Sequence, residues 1–223
     1  MKGDSIIVEE HHRKAASGIV SVLLPILKRS EQRYTISVSG QSGAGKSETA
    51  TAIAQALGAS GIQSVIFQQD DYFVHPPKTN DATRRADISW VGVQEVKLGL
   101  MDEHLSAFLD GNSKIDKPLV DYHRDAIGSE VMEPGAAQVA IADGTYTTLL
   151  KKVMCHVFID RDYLDTRSHR EKRRRDDSEL DPFIDRVLEI EHEIISSNKS
   201  LADIVVNRDY SITVVSRRLR DSA

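Results

Sequence analysis

The 223-residue sequence has little of several features that would narrow its function at once. Its single cysteine, Cys155, excludes a disulfide framework within the chain and favours a reducing, cytoplasmic compartment. The most apolar early run, residues 18–27, is about half of the roughly 20 residues that cross a bilayer, and no secretory leader is recognisable. A basic excess is also missing. The 29 Lys and Arg residues against 34 Asp and Glu residues give a net charge of −5, which argues against a general nucleic-acid-binding protein.

Strand and helix patterns alternate along most of the chain. Strands are predicted at residues 34–39, 64–67, 137–142, 155–159, 203–206 and 212–215, with helical spacing between them. This alternation predicts an α/β protein of three layers with a mostly parallel, five-stranded sheet. Residues 1–33 are expected to form an N-terminal helical segment that Pro25 disturbs or ends. We expect this segment to pack on a domain formed by residues 34–223.

A phosphate loop is the most specific motif. Residues 40–47 read Gly-Gln-Ser-Gly-Ala-Gly-Lys-Ser, which satisfies G-x-x-x-x-G-K-[ST], and they lie between a predicted strand and a predicted helix. Backbone N–H groups of such a loop converge on phosphate oxygens, and Lys46 would reach the β and γ phosphates. We therefore predict ATP and Mg²⁺ as ligands, with Ser47 and Asp143 serving the metal. The residues predicted to bind the nucleotide are Gly40, Ser42, Gly43, Ala44, Gly45, Lys46, Ser47 and Glu48.

Three classes of P-loop protein have a phosphate loop of this kind, and the rest of the sequence favours a kinase. A GTPase needs N-K-x-D, but Asn198-Lys199 is followed by Ser200-Leu201. A motor ATPase usually has an acidic pair at a strand end, where this chain has Asp143-Gly144. A kinase needs a base for the attacking hydroxyl and cations for the transferring phosphoryl group. Asp70 and Asp71 end the second strand, and because adjacent strand residues point in opposite directions, one of them would face the cleft. Residues 161–175 supply the cations.

From residue 34 to residue 215 the chain resembles the uridine kinase/phosphoribulokinase family of P-loop kinases. Besides the phosphate loop, residues 69–73 (Gln-Asp-Asp-Tyr-Phe) are similar to the family's Q-D-[S/D]-F-Y block. Residues 160–176 are similar to its lid helix, and residues 199–206 to its K-x-x-A-D-I-I run. The resemblance implies a nucleoside-kinase-like fold with a helical lid at about residues 161–182. It also implies that Asp70 is the catalytic base and that Lys46, Arg170 and Arg174 stabilise the transferring group.

The blocks that would hold the acceptor depart from the family's pattern. Residues 87–92 stand where uridine kinases have N-F-D-H-P, and only Asp87 could bind a sugar hydroxyl there. A polar cluster follows Pro118 in place of the family's P-x-Y-[DS] block. The residues predicted to bind the acceptor are Asp71, Tyr72, Asp87, Asp121, Tyr122 and His123.

The sequence therefore predicts a kinase that transfers the γ-phosphoryl group of ATP to a hydroxyl of a nucleoside, sugar or related metabolite. The partner would be this small molecule, with neither nucleic acid nor a membrane involved. A homo-oligomer is compatible with the sequence, which does not fix the oligomeric state. The alternative is a regulatory P-loop protein that hydrolyses ATP slowly and has no acceptor.

Overall fold

The computed structural model describes residues 6–162 and 181–220. The helices within these ranges are α1 (Glu10–Arg29), α2 (Lys46–Ala59), α3 (Pro77–Ala86), α4 (Leu98–Leu109), α5 (Pro182–Ser197) and α6 (Arg217–Arg220). The strands are β1 (Tyr34–Gly40), β2 (Ser64–Gln68), β3 (Ile115–Asp121), β4 (Ala126–Met132), β5 (Val139–Asp143), β6 (Cys155–Ile159), β7 (Ile204–Val206) and β8 (Ile212–Val214). Most of the predicted lid, with Arg170 and Arg174, lies outside the described residues.

A six-stranded sheet forms the centre of the molecule in the order β2-β5-β1-β6-β7-β8. The first five strands are parallel, and β8 runs antiparallel to β7 at the edge. The predicted α/β fold with a mostly parallel sheet is therefore confirmed, with β8 added to the five parallel strands. Because β1, β2 and β5 are parallel, their carboxyl ends meet at one edge, where ligands of such sheets bind.

Helices cover both faces of the sheet. One core contains α1 and α2, which contribute Ile19, Leu23, Ile53 and Leu57 to the face that bears Ile36. The other core contains side chains of α4 and α5 together with Phe67 and Phe158. This arrangement of helix, sheet and helix is the predicted three-layer architecture.

Strand β1 is buried along its whole length although its sequence alternates between apolar and hydroxyl residues. Its hydroxyl side chains satisfy their hydrogen bonds inside the protein. Thr35 Oγ1 donates to the carbonyl of Lys152 over 2.7 Å, and Ser39 Oγ donates to that of Val157 over 3.2 Å. The alternation therefore reflects small polar groups with internal partners rather than a face exposed to water.

Helix α1 runs through Pro25 to Arg29 instead of ending at the proline. Its buried residues, such as Ile19 and Leu23, belong to the same core as α2 and β1. The division of the chain at residue 34, with α1 as a segment packed on the domain that follows, stays a prediction. Within the described residues, no helix is long and apolar enough to cross a membrane.

A two-stranded hairpin, β3–β4, carries the polar cluster that follows Pro118, and no strand was predicted in this region. Pro118 lies within β3, where it is tolerated because each strand of a two-stranded ribbon has a free edge. Lys117 fastens this hairpin to the turn after β2. Its Nζ, in a side chain only 3 % exposed, lies 2.9 Å from Oδ2 of Asp71 and 2.6 Å from Oε1 of Glu130.

We expect Lys117→Met to lower the free energy of unfolding by about 3 kcal/mol, because it leaves the Asp71 carboxylate buried without its cation. Lys114→Met is the matched control, since Lys114 forms an exposed pair with Glu133 and its loss should cost less than about 1 kcal/mol. Urea unfolding of both variants measures the difference. The ion pair would be contradicted as the anchor of the hairpin if both substitutions lowered the free energy of unfolding equally. It would also be contradicted if adding Asp71→Asn to Lys117→Met restored none of the lost stability.

Candidate active site

The phosphate loop, residues 40–47, connects β1 to the first turn of α2. Gly43 and Gly45 have φ angles of +75° and +88°, a left-handed conformation that other residues rarely adopt. The Nζ of Lys46 donates to the carbonyl of Gln41 over 3.1 Å, so the lysine folds back over the loop. A Cβ at Gly45 would lie 2.7 Å from Nε2 of His12, which shows that α1 closes against the outside of the loop.

An inner cavity of about 80 Å³ lies beside this loop. The loop, the turn after β2 and the residues after β5 together form its wall. The lining residues are Ser42, Gly43, Lys46, Ser47, Gln68, Asp70, Asp143, Gly144 and Thr145. Of the other residues predicted to bind the nucleotide, Gly40, Ala44, Gly45 and Glu48 belong to the loop or the first turn of α2 but do not line this cavity.

Asp143 is the buried acid of the inner cavity and is 4 % exposed. Burial raises the pKa of its carboxyl to about 6, against the opposing effects of nearby Lys46 and of a hydrogen bond from Ser47. Its Oδ1 has no hydrogen-bond partner among the described residues. A hydroxyl and a carboxylate with an unpaired oxygen, beside the phosphate loop, are hard oxygen donors that fit Mg²⁺. Ser47 and Asp143 could therefore hold this metal.

Asp70 and Asp71 lie in a short 3₁₀ turn, Gln69–Tyr72, instead of at the end of β2 as predicted, and their side chains face different surroundings. Asp70, which is partly exposed, lines the inner cavity. Asp71 is 1 % exposed and faces the hairpin, where its Oδ1 accepts the backbone N–H of Val120 over 3.0 Å, opposite the Lys117 contact. The sequence left open which of the two acids faces the cleft, and in the structure it is Asp70.

The turn that carries Asp70 is packed tightly against the end of β5. Oε1 of Gln69 accepts the backbone N–H of Tyr146 over 2.7 Å. A Cβ at Gly144 would lie 2.2 Å from Cβ of Gln69, closer than two carbon atoms can approach. Only glycine fits at residue 144, and this contact holds the ends of β2 and β5, with Asp70 and Asp143, at a fixed spacing.

An outer cavity of about 250 Å³ opens next to the inner one. Ser42, Asp70 and Thr145 line both cavities, so Asp70 lies at their junction. The remaining walls come from α3, the tip of the hairpin, α5 and the segment after β2. The other lining residues are Phe73, His75, Pro77, Asn80, Arg84, Tyr122 and Glu191.

Of the six residues predicted to bind the acceptor, Tyr122 lines the outer cavity. Asp71 and Tyr72 do not line it, so the prediction that they contact the acceptor is wrong. Tyr72 is fully buried, and its hydroxyl lies 2.9 Å from Nδ1 of His104 on α4. The Asp71 carboxylate forms a buried ion pair with Lys117. Both side chains hold the turn in place, and Phe73 is the neighbouring aromatic residue that reaches the cavity.

Asp87, Asp121 and His123 line neither cavity. Asp87 is exposed and caps a short turn, accepting hydrogen bonds from the backbone N–H (2.9 Å) and Oγ (2.7 Å) of Ser89. These hydrogen bonds lower the pKa of Asp87. Asp121 ends β3 and accepts the backbone N–H of Arg124 over 3.0 Å. None of these three residues reaches the two cavities, and their contact with an acceptor stays a prediction.

Arg84, Glu95 and Glu191 form a buried ion cluster that no sequence motif indicated. Arg84 contacts Oε2 of Glu95 and donates to Oε1 of Glu191 over 3.0 Å. Burial alone would lower the pKa of Arg84, but the neighbouring carboxylates of Glu191 and Glu95 outweigh it, so that the pKa of Arg84 is raised. Burial raises the pKa of Glu191. One signal was present in the sequence. Glu191 lies on the buried face of α5 with Val187, Leu188 and Ile195, an unusual place for an acid.

We expect Asp143→Asn to stabilise the metal-free and nucleotide-free protein above pH 6. The pKa of Asp143 is about 6 in the folded protein against 3.8 ordinarily, so the folded state loses stability as pH rises and the carboxyl ionises. The variant should gain up to about 3 kcal/mol at pH 8 and about 1 kcal/mol at pH 4.5. Urea unfolding with a chelator measures both, and exposed Asp116→Asn is the matched control. A gain that does not depend on pH would contradict the assignment.

Comparison with known proteins indicates the family of this chain. Residues 35–209 match the model of the Phosphoribulokinase / Uridine kinase family. The bifunctional alpha-galactosidase/sucrose kinase AgaSK of Mediterraneibacter gnavus is 29 % identical over 194 residues, which cover 82 % of this chain and 21 % of that protein. The chain thus spans about a fifth of that relative's length. The uridine kinase of Clostridium novyi is 26 % identical over 183 residues, covering 77 % of this chain and 85 % of the relative.

Among solved structures, D-glycerate 3-kinase from Cryptococcus neoformans var. grubii has the same fold, with a TM-score of 0.63 at 13 % identity. The superposition covers 90 % of this chain and 99 % of that one. The family match includes the phosphate loop, the turn with Asp70 and the end of β5 with Asp143. The chain belongs to the phosphoribulokinase/uridine kinase family of P-loop kinases, which transfer phosphoryl groups to hydroxyl acceptors.

Proposed function

We propose that the protein transfers the γ-phosphoryl group of ATP to a hydroxyl of a small acceptor, a nucleoside, sugar or related metabolite. The observation that carries this proposal is the position of Asp70 at the junction of the two cavities. The inner cavity is bounded by the phosphate loop, and the outer cavity is open to a second molecule. A transferring group at the junction would lie between donor and acceptor, with a carboxylate beside it.

The inner cavity, where the phosphate donor would bind, has groups that can hold phosphate and neutralise its charge. Backbone N–H groups of the phosphate loop and the N-terminus of α2 would face the β and γ phosphates. Lys46 would add its positive charge, and Ser47 and Asp143 would hold Mg²⁺, which supplies further charge neutralisation when bound. These groups stabilise the negative charge that spreads over the phosphoryl oxygens during transfer.

Asp70 would act as the general base. As the acceptor oxygen forms its bond to phosphorus, the hydroxyl proton moves to the Asp70 carboxylate, and the bond between the β and γ phosphates breaks to release ADP. Asp71 would act indirectly, because its pairing with Lys117 fixes the turn on which Asp70 lies. In this proposal Arg170 and Arg174, outside the described residues, come from the lid to contact the phosphoryl group and exclude water.

A small-molecule acceptor fits the outer cavity, whose volume of about 250 Å³ suits a metabolite better than a nucleic acid. A cytoplasmic location belongs to the same proposal, since the reaction consumes ATP and Cys155 is a buried free thiol.

Asp70→Asn and Asp71→Asn form a discriminating pair of variants. We expect Asp70→Asn to reduce kcat by about 10²- to 10⁴-fold with the Kd for ATP nearly unchanged, because it removes only the proton acceptor. Asp71→Asn should lower stability yet keep far more of the kcat per folded molecule. A coupled ADP-release assay and nucleotide titration measure these effects. Full turnover in Asp70→Asn would remove this residue from the mechanism, and ATP loss that no acceptor accelerates would favour a regulatory protein without an acceptor.

A further inference from the structure

The cluster of Arg84, Glu95 and Glu191 forms one wall of the outer cavity, and the kinase chemistry described above gives it no role. Arg84 extends from α3, Glu191 from α5, and Glu95 from a short turn between α3 and α4. The side chains of Arg84 and Glu191 are 16 % and 10 % exposed, and both line the cavity. Glu95 has no exposed side-chain surface and lies behind them.

Glu95 is already satisfied by the protein. Its Oε1 accepts hydrogen bonds from Nε of Arg84 over 2.9 Å and from the backbone N–H of Gly92 over 3.2 Å. Its Oε2 accepts from Arg84 and, over 3.2 Å, from Nδ2 of Asn80, whose Oδ1 in turn accepts from Nε1 of Trp90. Glu95 therefore orients the guanidinium rather than meeting a ligand.

Arg84 and Glu191 each keep one polar group unused. Arg84 donates through Nε and Nη2, and Glu191 accepts through Oε1. Nη1 of Arg84 and Oε2 of Glu191 have no partner among the described residues. Because Nη2 and Oε1 are joined over 3.0 Å, the guanidinium and the carboxylate that carry this donor and this acceptor are neighbours, and both residues line the cavity. Two neighbouring hydroxyl groups match such a pair, since a hydroxyl can either donate or accept.

We propose that Glu191 and Arg84 bind two adjacent hydroxyl groups of an uncharged, sugar-like acceptor. One hydroxyl donates to Oε2 of Glu191, and its neighbour accepts from Nη1 of Arg84. This inference rests on the proposed kinase function and defines the class of acceptor that Asp70 would deprotonate. The aromatic rings of Phe73 and Tyr122, which line the same cavity, would pack against the carbon-bound hydrogens of such a molecule.

The charges of the cavity argue against an anionic acceptor. The single guanidinium of Arg84 faces the two carboxylates of Glu95 and Glu191, and Asp70 adds a third at the junction. Among the described lining residues, His75 is the other group that can become positive. A phosphate or carboxylate on the acceptor would meet repulsion that the already paired Arg84 does not offset. This distinguishes sugars and nucleosides from acceptors such as glycerate or ribulose 5-phosphate.

The first test is a panel of acceptors in the ADP-release assay with wild-type protein and MgATP. Uncharged acceptors with adjacent hydroxyls would be sucrose, fructose, ribose and uridine, and anionic acceptors would be D-glycerate and ribulose 5-phosphate. We expect turnover with an uncharged member. An analogue of that acceptor lacking one of the two adjacent hydroxyls should lose about 10- to 100-fold in kcat/KM, because a buried charged partner is left unpaired.

The second test is Glu191→Gln with Glu193→Gln as its matched control, since Glu193 is an exposed acid on the same helix. Glu191→Gln should raise the KM for the acceptor about 10- to 100-fold with the KM for ATP nearly unchanged. The control should leave both constants near the wild-type values. Unchanged ATP binding by Glu191→Gln also shows that the variant is folded.

The outcomes separate the inference from the function on which it rests. If an anionic member is the preferred acceptor, or if Glu191→Gln leaves the acceptor KM unchanged, the inference fails while the kinase function stands. If the deoxy analogue is as good as its parent, the reading of two hydroxyls is wrong. If no acceptor accelerates ADP release and Asp70→Asn leaves basal ATP loss unchanged, the proposed function and the inference are both rejected.

Discussion

The contact of Gln69 with Gly144 is the constraint on which the site depends. The parallel pairing of β2 with β5, which sets Gln68 opposite Asp143, brings the turn after β2 to the end of β5, so that Asp70 and Asp143, 73 positions apart in the sequence, line one small cavity. Gln69 can pack at this point because residue 144 has no side chain. The parallel register of β1 between β5 and β6 then sets the phosphate loop at the same edge. A side chain as small as a methyl group at residue 144 would have to push these strand ends apart, and neither cavity wall could keep its present spacing.

Local features of this molecule could be predicted from the sequence, whereas contacts between distant segments could not. The phosphate loop is a short motif between a strand and a helix, and its glycines alone specify the left-handed turns. Alternation along a strand was the basis for expecting Asp70 and Asp71 to face different sides, but both acids lie in the turn after β2, where the hairpin that supplies Lys117 determines which one is buried. Pro118 obscured that hairpin, because proline usually argues against a strand. Arg84 and Glu191 are 107 positions apart, so no local pattern pairs them.

The two sides of the site differ in charge in a way that fits the proposed transfer from a phosphate donor to an uncharged acceptor. Lys46, the loop amides and the start of α2 make the donor side positive, as phosphate binding requires. On the other side Glu95 and Glu191 outnumber Arg84, and the walls are partly aromatic. Asp143, buried and partly protonated near pH 6 without ligands, stores electrostatic strain that a bound cation would relieve. The fold thus gives up some intrinsic stability to keep charged groups ready for ligands.

The ion pair between Lys117 and Asp71 also bears on how this enzyme family diverges. It fastens β3 to the turn that carries Asp70, and the tip of the hairpin, which carries Tyr122, is held separately to α3, where Asp125 accepts hydrogen bonds from Lys78 and Thr79. Substitutions, insertions or deletions at the tip could therefore reshape the acceptor wall without moving Asp70. If Asp70 is the base and Tyr122 contacts the acceptor, as proposed, substitutions in the loop of the hairpin would change the acceptor while leaving the transfer chemistry intact.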